Sequence, residues 1–94
     1  MINRSAIANQ LECFAFVAIA EEEPRRALKL LGAAEGLREK IGSPMASYEV
    51  MEYDKEVAQL RAMLNELEFN ALWAEGRSMT MEQAIQIALQ GSKD

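Results

Sequence analysis

The segment from Pro24 to Gly42 has the clearest helical pattern in the chain. Apolar or small residues recur there every three or four positions, which places them on one face of a helix and leaves the charged residues for other faces. The residues of this face are Ala27, Leu30, Leu31, Ala34, Leu37 and Ile41. Gly32 and Gly36 lie beside it, so a neighbouring helix could approach closely. The pattern predicts a helix that has helical partners on more than one side.

A second apolar face precedes this helix, in residues 2–22. Its members are Ile7, Leu11, Phe14, Ala15, Ala18 and Ile19, and Phe16 and Val17 widen the apolar surface beyond a narrow stripe. We therefore expect this first helix to be buried on two sides or to expose apolar surface that a neighbour covers. Glu21 to Glu23 suit the N-terminus of the next helix, and Pro24 suits its first position. So short a connection predicts an antiparallel hairpin over residues 1–42.

Gly42, Ser43 and Pro44 are typical of a helix end. A third, long helix is predicted from Ser47 to Leu64, because apolar residues follow a strict three-four alternation at Val50, Tyr53, Val57, Leu60 and Leu64. This seam is too short for a coiled coil, so packing within the domain is the better interpretation.

Two short helices are predicted to follow. Asn65 is expected to be the left-handed residue that ends the third helix, and Gly76 the residue that ends a helix from Glu66 to Glu75. Thr80 and Gln83 form a capping-box pattern at the start of the last helix, which Gly91 is expected to close. The apolar groups are Leu67, Leu72 and Trp73 on the first of these helices and Met81, Ala84, Ile85, Ala88 and Leu89 on the second.

These elements predict the all-α class, in one domain of residues 1–94. An antiparallel hairpin in residues 1–42 is followed, in residues 43–94, by a third long helix and two short capping helices. Half of the residues are hydrophobic, which fits a compact helical domain better than a disordered one.

Charge changes the functional picture. The net charge is −5, and it arises entirely after residue 41, since residues 1–41 carry six basic and six acidic groups while residues 42–94 carry four and nine. This balance argues against direct contact with nucleic acid.

The longest apolar run, Cys13 to Ala20, is far shorter than the roughly 20 residues that cross a bilayer. With one cysteine and no signal-peptide pattern, we expect a cytoplasmic protein without a membrane segment.

The sequence offers little for catalysis or for metal or cofactor binding. It contains no histidine, which removes the commonest general base and metal ligand. Cys13 lies in an apolar helix and is expected to be a buried, inert thiol, and Glu21 to Glu23 are expected to be solvated. Trp73 has two interpretations: an anchor that holds the short fourth helix on the hairpin, or a half-exposed interface aromatic. We favour the anchor, and expect Arg77 to pair with Glu75 or Glu82. We assign no catalytic, cofactor-binding or metal-binding residue.

Spacing and motifs suggest a known family. The hairpin resembles a tetratricopeptide repeat, with Leu11, Phe14, Ala15 and Ala18 on its first helix and Ala27, Leu31 and Ala34 on its second at that repeat's core positions. Residues further along, RALKLLGAAEGLREKIGSPM, YDKEVAQLRAML and FNALWAEGRSMTMEQAIQIAL, are similar to the C-terminal end of the tetratricopeptide region in bacterial LuxR-type and ATPase signalling regulators. The resemblance implies a platform that senses or docks, while catalytic and DNA-binding parts of such regulators lie elsewhere in their chains.

We therefore expect a non-catalytic protein-interaction module. The fold would be carried by Leu11, Phe14, Ala15, Ala27, Leu31, Ala34 and Trp73. The first helix, with Phe16 and Val17, would be the face open to a partner and would form a two-fold dimer. The alternative is a small ligand-binding or regulatory subunit with a pocket between the hairpin and the third helix, lined by Met45, Met51 and Met63. The chain fits either a fragment of a larger regulator or a free-standing protein.

Overall fold

A computed structural model describes residues 3–90, and over that range the chain forms helices and no strand. The helices are α1 (Arg4–Ala20), α2 (Pro24–Ile41), α3 (Ser47–Met63), α4 (Glu66–Arg77) and α5 (Met81–Gln90). The all-α prediction is confirmed. The predicted roles of Ile2, at the start of the first helix, and of Gly91, at the end of the last, concern residues outside the described range.

The first two helices form the expected antiparallel hairpin. Ser5 near the start of α1 meets Ser43, just beyond the end of α2, with 2.8 Å between their Oγ atoms. At the other end of the hairpin, Glu22 takes a left-handed conformation in the connecting turn (φ 61°) and Pro24 opens α2. Gly42 ends α2 in the left-handed conformation (φ 65°), and the backbone N–H of Ser43 donates to the carbonyl of Arg38.

Helix α2 lies at the centre of the core. Six of its apolar side chains are buried, among them Ala27, Leu31 and Ala34. Helix α1 covers one side of it with a row of buried residues spaced by three and four positions, and α4 and α5 add Phe69, Ala84 and Ala88. The row on α1 comprises Ala8, Leu11, Ala15, Ala18 and Ile19. Thus α2 has helical partners on more than one side, as its face predicts.

Helix α4 approaches the backbone of α2 closely. A Cβ at Gly32 would lie 2.7 Å from the carbonyl oxygen of Trp73, and one at Gly76 would collide with the backbone of Lys29. Close packing over Gly32 and Gly36 is therefore confirmed. The prediction that Gly76 ends this helix is wrong, because α4 continues through Arg77 and Gly76 serves the approach of two backbones.

The seam of α3 is buried only at its far end. Leu60 is the buried residue of this helix and Leu64 follows just beyond it, while Tyr53 and Val57 are half-buried and Val50 is exposed. Asn65 does not take the predicted left-handed conformation. Its φ is −73°, and its side chain accepts a 2.7 Å hydrogen bond from the backbone N–H of Glu68. Asn is as effective at a helix start as at a left-handed stop, and here it begins α4.

The two short helices differ from prediction in which side chains they bury. On α4, Phe69 is buried and the predicted Leu67 is 82% exposed. The predicted capping box of α5 is confirmed: the backbone N–H of Gln83 donates to Thr80 Oγ1 at 3.1 Å, and the N–H of Thr80 donates to Gln83 Oε1 at 2.9 Å. Ala84 and Ala88 point inward, but Leu89 is 73% exposed, so its assignment to the inward face is wrong.

Candidate functional site

Helix α1 presents an exposed stripe that carries no charge, which we call the α1 stripe. Its members follow the three-four spacing of a helix face and are Ala6, Gln10, Cys13, Val17 and Ala20. The charged residues of α1 are Arg4, at its first position, and Glu12, which is buried with 4% of its surface exposed. Since the chain has a net charge of −5, an uncharged stripe of this length is a distinct surface feature.

An apolar groove adjoins the α1 stripe, where α1 meets α5. It has a volume of about 210 Å³. Phe14 and Leu89 stand at the surface beside it, with 38% and 73% of their area exposed. The groove is lined by Ala6, Ile7, Gln10, Leu11, Phe14, Ile85, Ala88 and Leu89. Phe14 was expected among the residues that carry the fold, and it instead lies in this surface groove.

The two residues predicted to form the open face of the first helix lie in different surroundings. Phe16 is half-buried and packs against the core. Val17, one position on and turned by about 100° around the helix, is 51% exposed and belongs to the α1 stripe. Cys13 is exposed as well, so its predicted burial is wrong. Because α1 is apolar on nearly all sides, sequence periodicity did not distinguish its core row from its exposed stripe.

A larger cavity of about 450 Å³ lies between the hairpin and α3, and we call it the acidic cavity. Of the methionines that sequence analysis assigned to a pocket in this place, Met45 lines it, whereas Met51 and Met63 are exposed elsewhere on α3. Its other lining residues are Glu12, Glu35, Arg38, Glu39, Gly42, Ser43, Pro44, Val50, Tyr53 and Asp54.

One wall of the acidic cavity is a buried ion pair that sequence analysis missed. Arg38 on α2 donates from Nε and Nη2 to the two carboxylate oxygens of Glu12, at 2.7 and 3.0 Å, and from Nη1 to the carbonyl of Ser43 at 3.1 Å. The hydrogen bond to Glu12 raises the pKa of Arg38. Glu12 is the one charged residue between Ser5 and Ala20 of the first helix, which was the signal that could have revealed the pair.

The pKa of Tyr53 indicates the electrostatic character of this cavity. Its hydroxyl has a pKa well above the usual value, mainly because the residue is partly buried and further because Glu35, Glu12 and Asp54 contribute negative charge. A phenolate is thus disfavoured there. The negative field of the three carboxylates would favour a positive charge, whereas burial opposes a charge of either sign. Tyr53 lines the cavity together with Pro44, Met45 and Val50, which supply apolar surface.

Arg77 joins α4 to α2, rather than pairing with Glu75 or Glu82 as predicted. Its Nη1 lies 2.5 Å from a carboxylate oxygen of Glu35, and its Nη2 lies 2.6 Å from one of Glu39. The hydrogen bond from Arg77 lowers the pKa of Glu39. Glu75 pairs with Lys29 at 3.3 Å instead. These pairs lie on both sides of the close approach at Gly32, which brings the partners together.

Trp73 lies at the edge of the core. It is half-buried, packs against the buried cluster and stacks on Phe69 with 6.4 Å between ring centroids and 10° between planes. The guanidinium of Arg61 covers Phe69 at 4.1 Å. This position combines features of both interpretations from the sequence, since the ring helps hold α4 and part of it remains accessible.

Residues 3–90 contain no group of three or more histidine, cysteine or carboxylate side chains placed to hold a metal ion. No helix in that range is long and apolar enough to cross a bilayer. Comparison of the chain with protein-family models, with curated proteins and with solved structures finds no match. The candidate sites therefore stand on their own geometry: an uncharged stripe with an apolar groove, and an acidic cavity.

Proposed function

We propose that the chain is a non-catalytic protein–protein interaction module of the cytoplasm, equivalent to the terminal tetratricopeptide-like part of a bacterial transcriptional or signalling regulator. The observation that carries the proposal is the α1 stripe with its groove, where Val17, Phe14 and Leu89 are exposed and the positions of the stripe are uncharged. Exposed apolar surface of this kind is typical of interaction sites. The resemblance of the hairpin and of the WAEGRSMTMEQA segment to such regulators supports the same role.

The occupant that we propose for this surface is a second copy of the chain, in a two-fold dimer. Two molecules that each carry a charge of −5 repel one another across most orientations. The α1 stripe avoids that repulsion, because its positions are uncharged and the one carboxylate of α1, Glu12, is neutralised by Arg38. A self-complementary contact of α1 with its copy covers the stripe and both grooves at once.

Sedimentation of the purified chain over a concentration series tests this proposal. We expect a monomer–dimer equilibrium that Val17→Glu shifts to monomer, since the substitution places two like charges in the contact. Leu67→Glu is the matched control, because Leu67 is also an exposed aliphatic residue but lies on α4, outside the stripe. Phe16 is unsuitable for this test, as it packs against the core. A monomer at all concentrations, or equal effects of the two variants, would overturn the dimer.

A further inference from the structure

The acidic cavity has the size and the lining of a small-molecule site, independently of the α1 stripe. Its volume of about 450 Å³ falls in the range of roughly 300 to 1,000 Å³ that is usual for ligand pockets. It is built from three parts of the chain: Glu12 on α1, the end of α2 with the connection that follows, and the first half of α3. A ligand placed there would touch the hairpin and α3 together.

The charges around the cavity disfavour an anionic ligand. Arg38 is the guanidinium among the lining residues, and its Nε, Nη1 and Nη2 are all engaged by Glu12 and Ser43. Four carboxylates line the cavity, those of Glu12, Glu35, Glu39 and Asp54. An incoming anion would therefore meet the negative charge of these carboxylates, and three of the five N–H donors of Arg38 are already used within the protein.

The charged groups just outside the cavity do not change the sign of its net charge. Arg77 reaches Glu35 and Glu39 from α4, and Glu49 on α3 acts on Arg38 from the other side. With these two included, five carboxylates face two guanidinium groups, which leaves a net charge of −3 around the cavity. Asp54, at the exposed rim on α3, is the carboxylate best placed for contact with a ligand that enters from solvent.

We propose that the acidic cavity binds a small organic cation, in which an amine or guanidinium group is carried on a compact apolar body. The cationic group would lie near Asp54 and the ring of Tyr53, because carboxylates and aromatic faces both attract cations. The apolar body would lie against Pro44, Met45 and Val50. Met45 suits this role, since its flexible thioether adapts to different shapes.

Three probes of similar size and different charge test the proposal: 4-phenylbutylamine, 4-phenylbutanol and 4-phenylbutyrate. Each is titrated into ¹⁵N-labelled full chain at pH 7 and followed by two-dimensional NMR. We expect the amine to shift the signals of Arg38, Val50 and Tyr53 and to bind about tenfold or more tightly than the alcohol, with the carboxylate weakest. Binding of the amine should weaken in 0.5 M salt, where charges are screened to about 4 Å.

Two variants on the exposed side of the cavity check the position of the site without touching the core. Val50→Trp fills the apolar side and should abolish binding of the amine, and Asp54→Asn should weaken it severalfold while leaving the alcohol unchanged. Glu66→Gln, which removes an exposed carboxylate on α4, is the matched control and should change neither. Equal affinity for amine and alcohol, shifts confined to the α1–α5 groove, or no binding at millimolar probe would each overturn the proposal.

Discussion

Arg38 and Glu12 form a two-pronged ion pair across the hairpin, with 2.7 Å from Nε to one carboxylate oxygen and 3.0 Å from Nη2 to the other. The side chain of Glu12 is 5% exposed and that of Arg38 is 11% exposed. A carboxylate so little hydrated depends on its partner for compensation. The pair also ties α1 to the end of α2, because Arg38 donates at the same time to the carbonyl of Ser43.

Removal of Arg38 alone should therefore destabilise the chain strongly. We expect Arg38→Met to lower the free energy of unfolding by about 3 to 5 kcal/mol, since it leaves Glu12 charged and unpaired in the interior. The double variant Glu12→Met/Arg38→Met should recover most of that loss, because both charges are then replaced by apolar groups of similar volume. Urea unfolding at pH 7 measures the three values.

Arg25→Met is the control for this series. Arg25 pairs with Glu68 at the surface, and the loss of such a pair should cost no more than about 1 kcal/mol. If Arg38→Met were no more destabilising than Arg25→Met, the pair in the hairpin would not be buried in solution.

Gly76 should not tolerate a side chain, although it lies within a helix. By helix propensity alone, Gly76→Ala would gain about 1 kcal/mol. Because the new Cβ collides with the backbone of Lys29, which cannot rotate away, we expect instead a loss of about 2 to 3 kcal/mol. Thermal and urea unfolding measure this change.

Gly42→Ala separates steric collision from backbone strain. Nothing lies within 4 Å of a Cβ at Gly42. Gly42→Ala should therefore lower the free energy of unfolding only by the roughly 1 to 2 kcal/mol that a left-handed backbone costs a residue with a Cβ. A stabilising effect of Gly76→Ala would contradict the close approach of α2 and α4.

Gly76 shows which features could be predicted from the sequence and which could not. Helix positions follow from local pattern, so α2, its Pro24 start, its Gly42 end and the capping box of α5 were predicted nearly to the residue. Gly76 has two roles that look alike in a sequence, a helix end and a close contact, and only the position of α2 decides between them. Asn65 likewise suits two roles, a left-handed helix end and an N-cap, and here it caps α4.

The sequence did not predict which side chains pair with one another between helices. Arg77 lies two residues from Glu75 and five from Glu82, yet it pairs with Glu35 and Glu39 because α4 crosses α2 at Gly32. On α1, apolar residues occur around most of the helix, so Phe14 and Cys13 could not be told from core residues by spacing. The acidic cavity was anticipated in place, between the hairpin and the third helix, but its charge depends on contacts of this long-range kind.

Glu56 should reduce stability near neutral pH. Its pKa is raised by burial and then by the neighbouring Glu52, one helical turn before it. A carboxyl group whose pKa is higher in the folded state contributes stability below its unfolded pKa, about 4.3 for Glu, and loses that contribution as the pH rises through the folded value. Glu56→Gln should thus stabilise the chain by about 0.3 to 0.5 kcal/mol at pH 7, the scale of a like-charge pair on a helix.

The gain should disappear near pH 3.5, below the ordinary Glu pKa of about 4.3, because the wild-type carboxyl is then mostly protonated in both states. Urea unfolding at the two pH values provides the comparison. Glu52→Gln removes the same repulsion and should show the same pH dependence. A gain that persisted at the lower pH would assign the effect to helix propensity and contradict a charge effect.

Cys13 offers a direct test of the dimer that we propose for the α1 stripe. It is exposed and lies one residue from the midpoint of α1, which spans Arg4–Ala20. In an antiparallel contact of α1 with its copy, residues near the midpoint lie opposite themselves, and the small Ala6 and Ala20 allow the helices to approach to about 8 Å. Mild oxidation of the native chain should therefore produce a dimer linked through Cys13, measured by non-reducing electrophoresis.

The control moves the thiol to another exposed position, in Cys13→Ser/Leu67→Cys. With protein at about 10 μM, the native cysteine should cross-link about a hundredfold faster than the displaced one, because a shared interface raises the effective thiol concentration to the millimolar range. Val17→Glu in the native background should remove this advantage, since the thiols then meet only by random collision. Equal rates for the native and displaced cysteines would contradict an antiparallel contact through α1 and leave the α1 stripe open for a different protein.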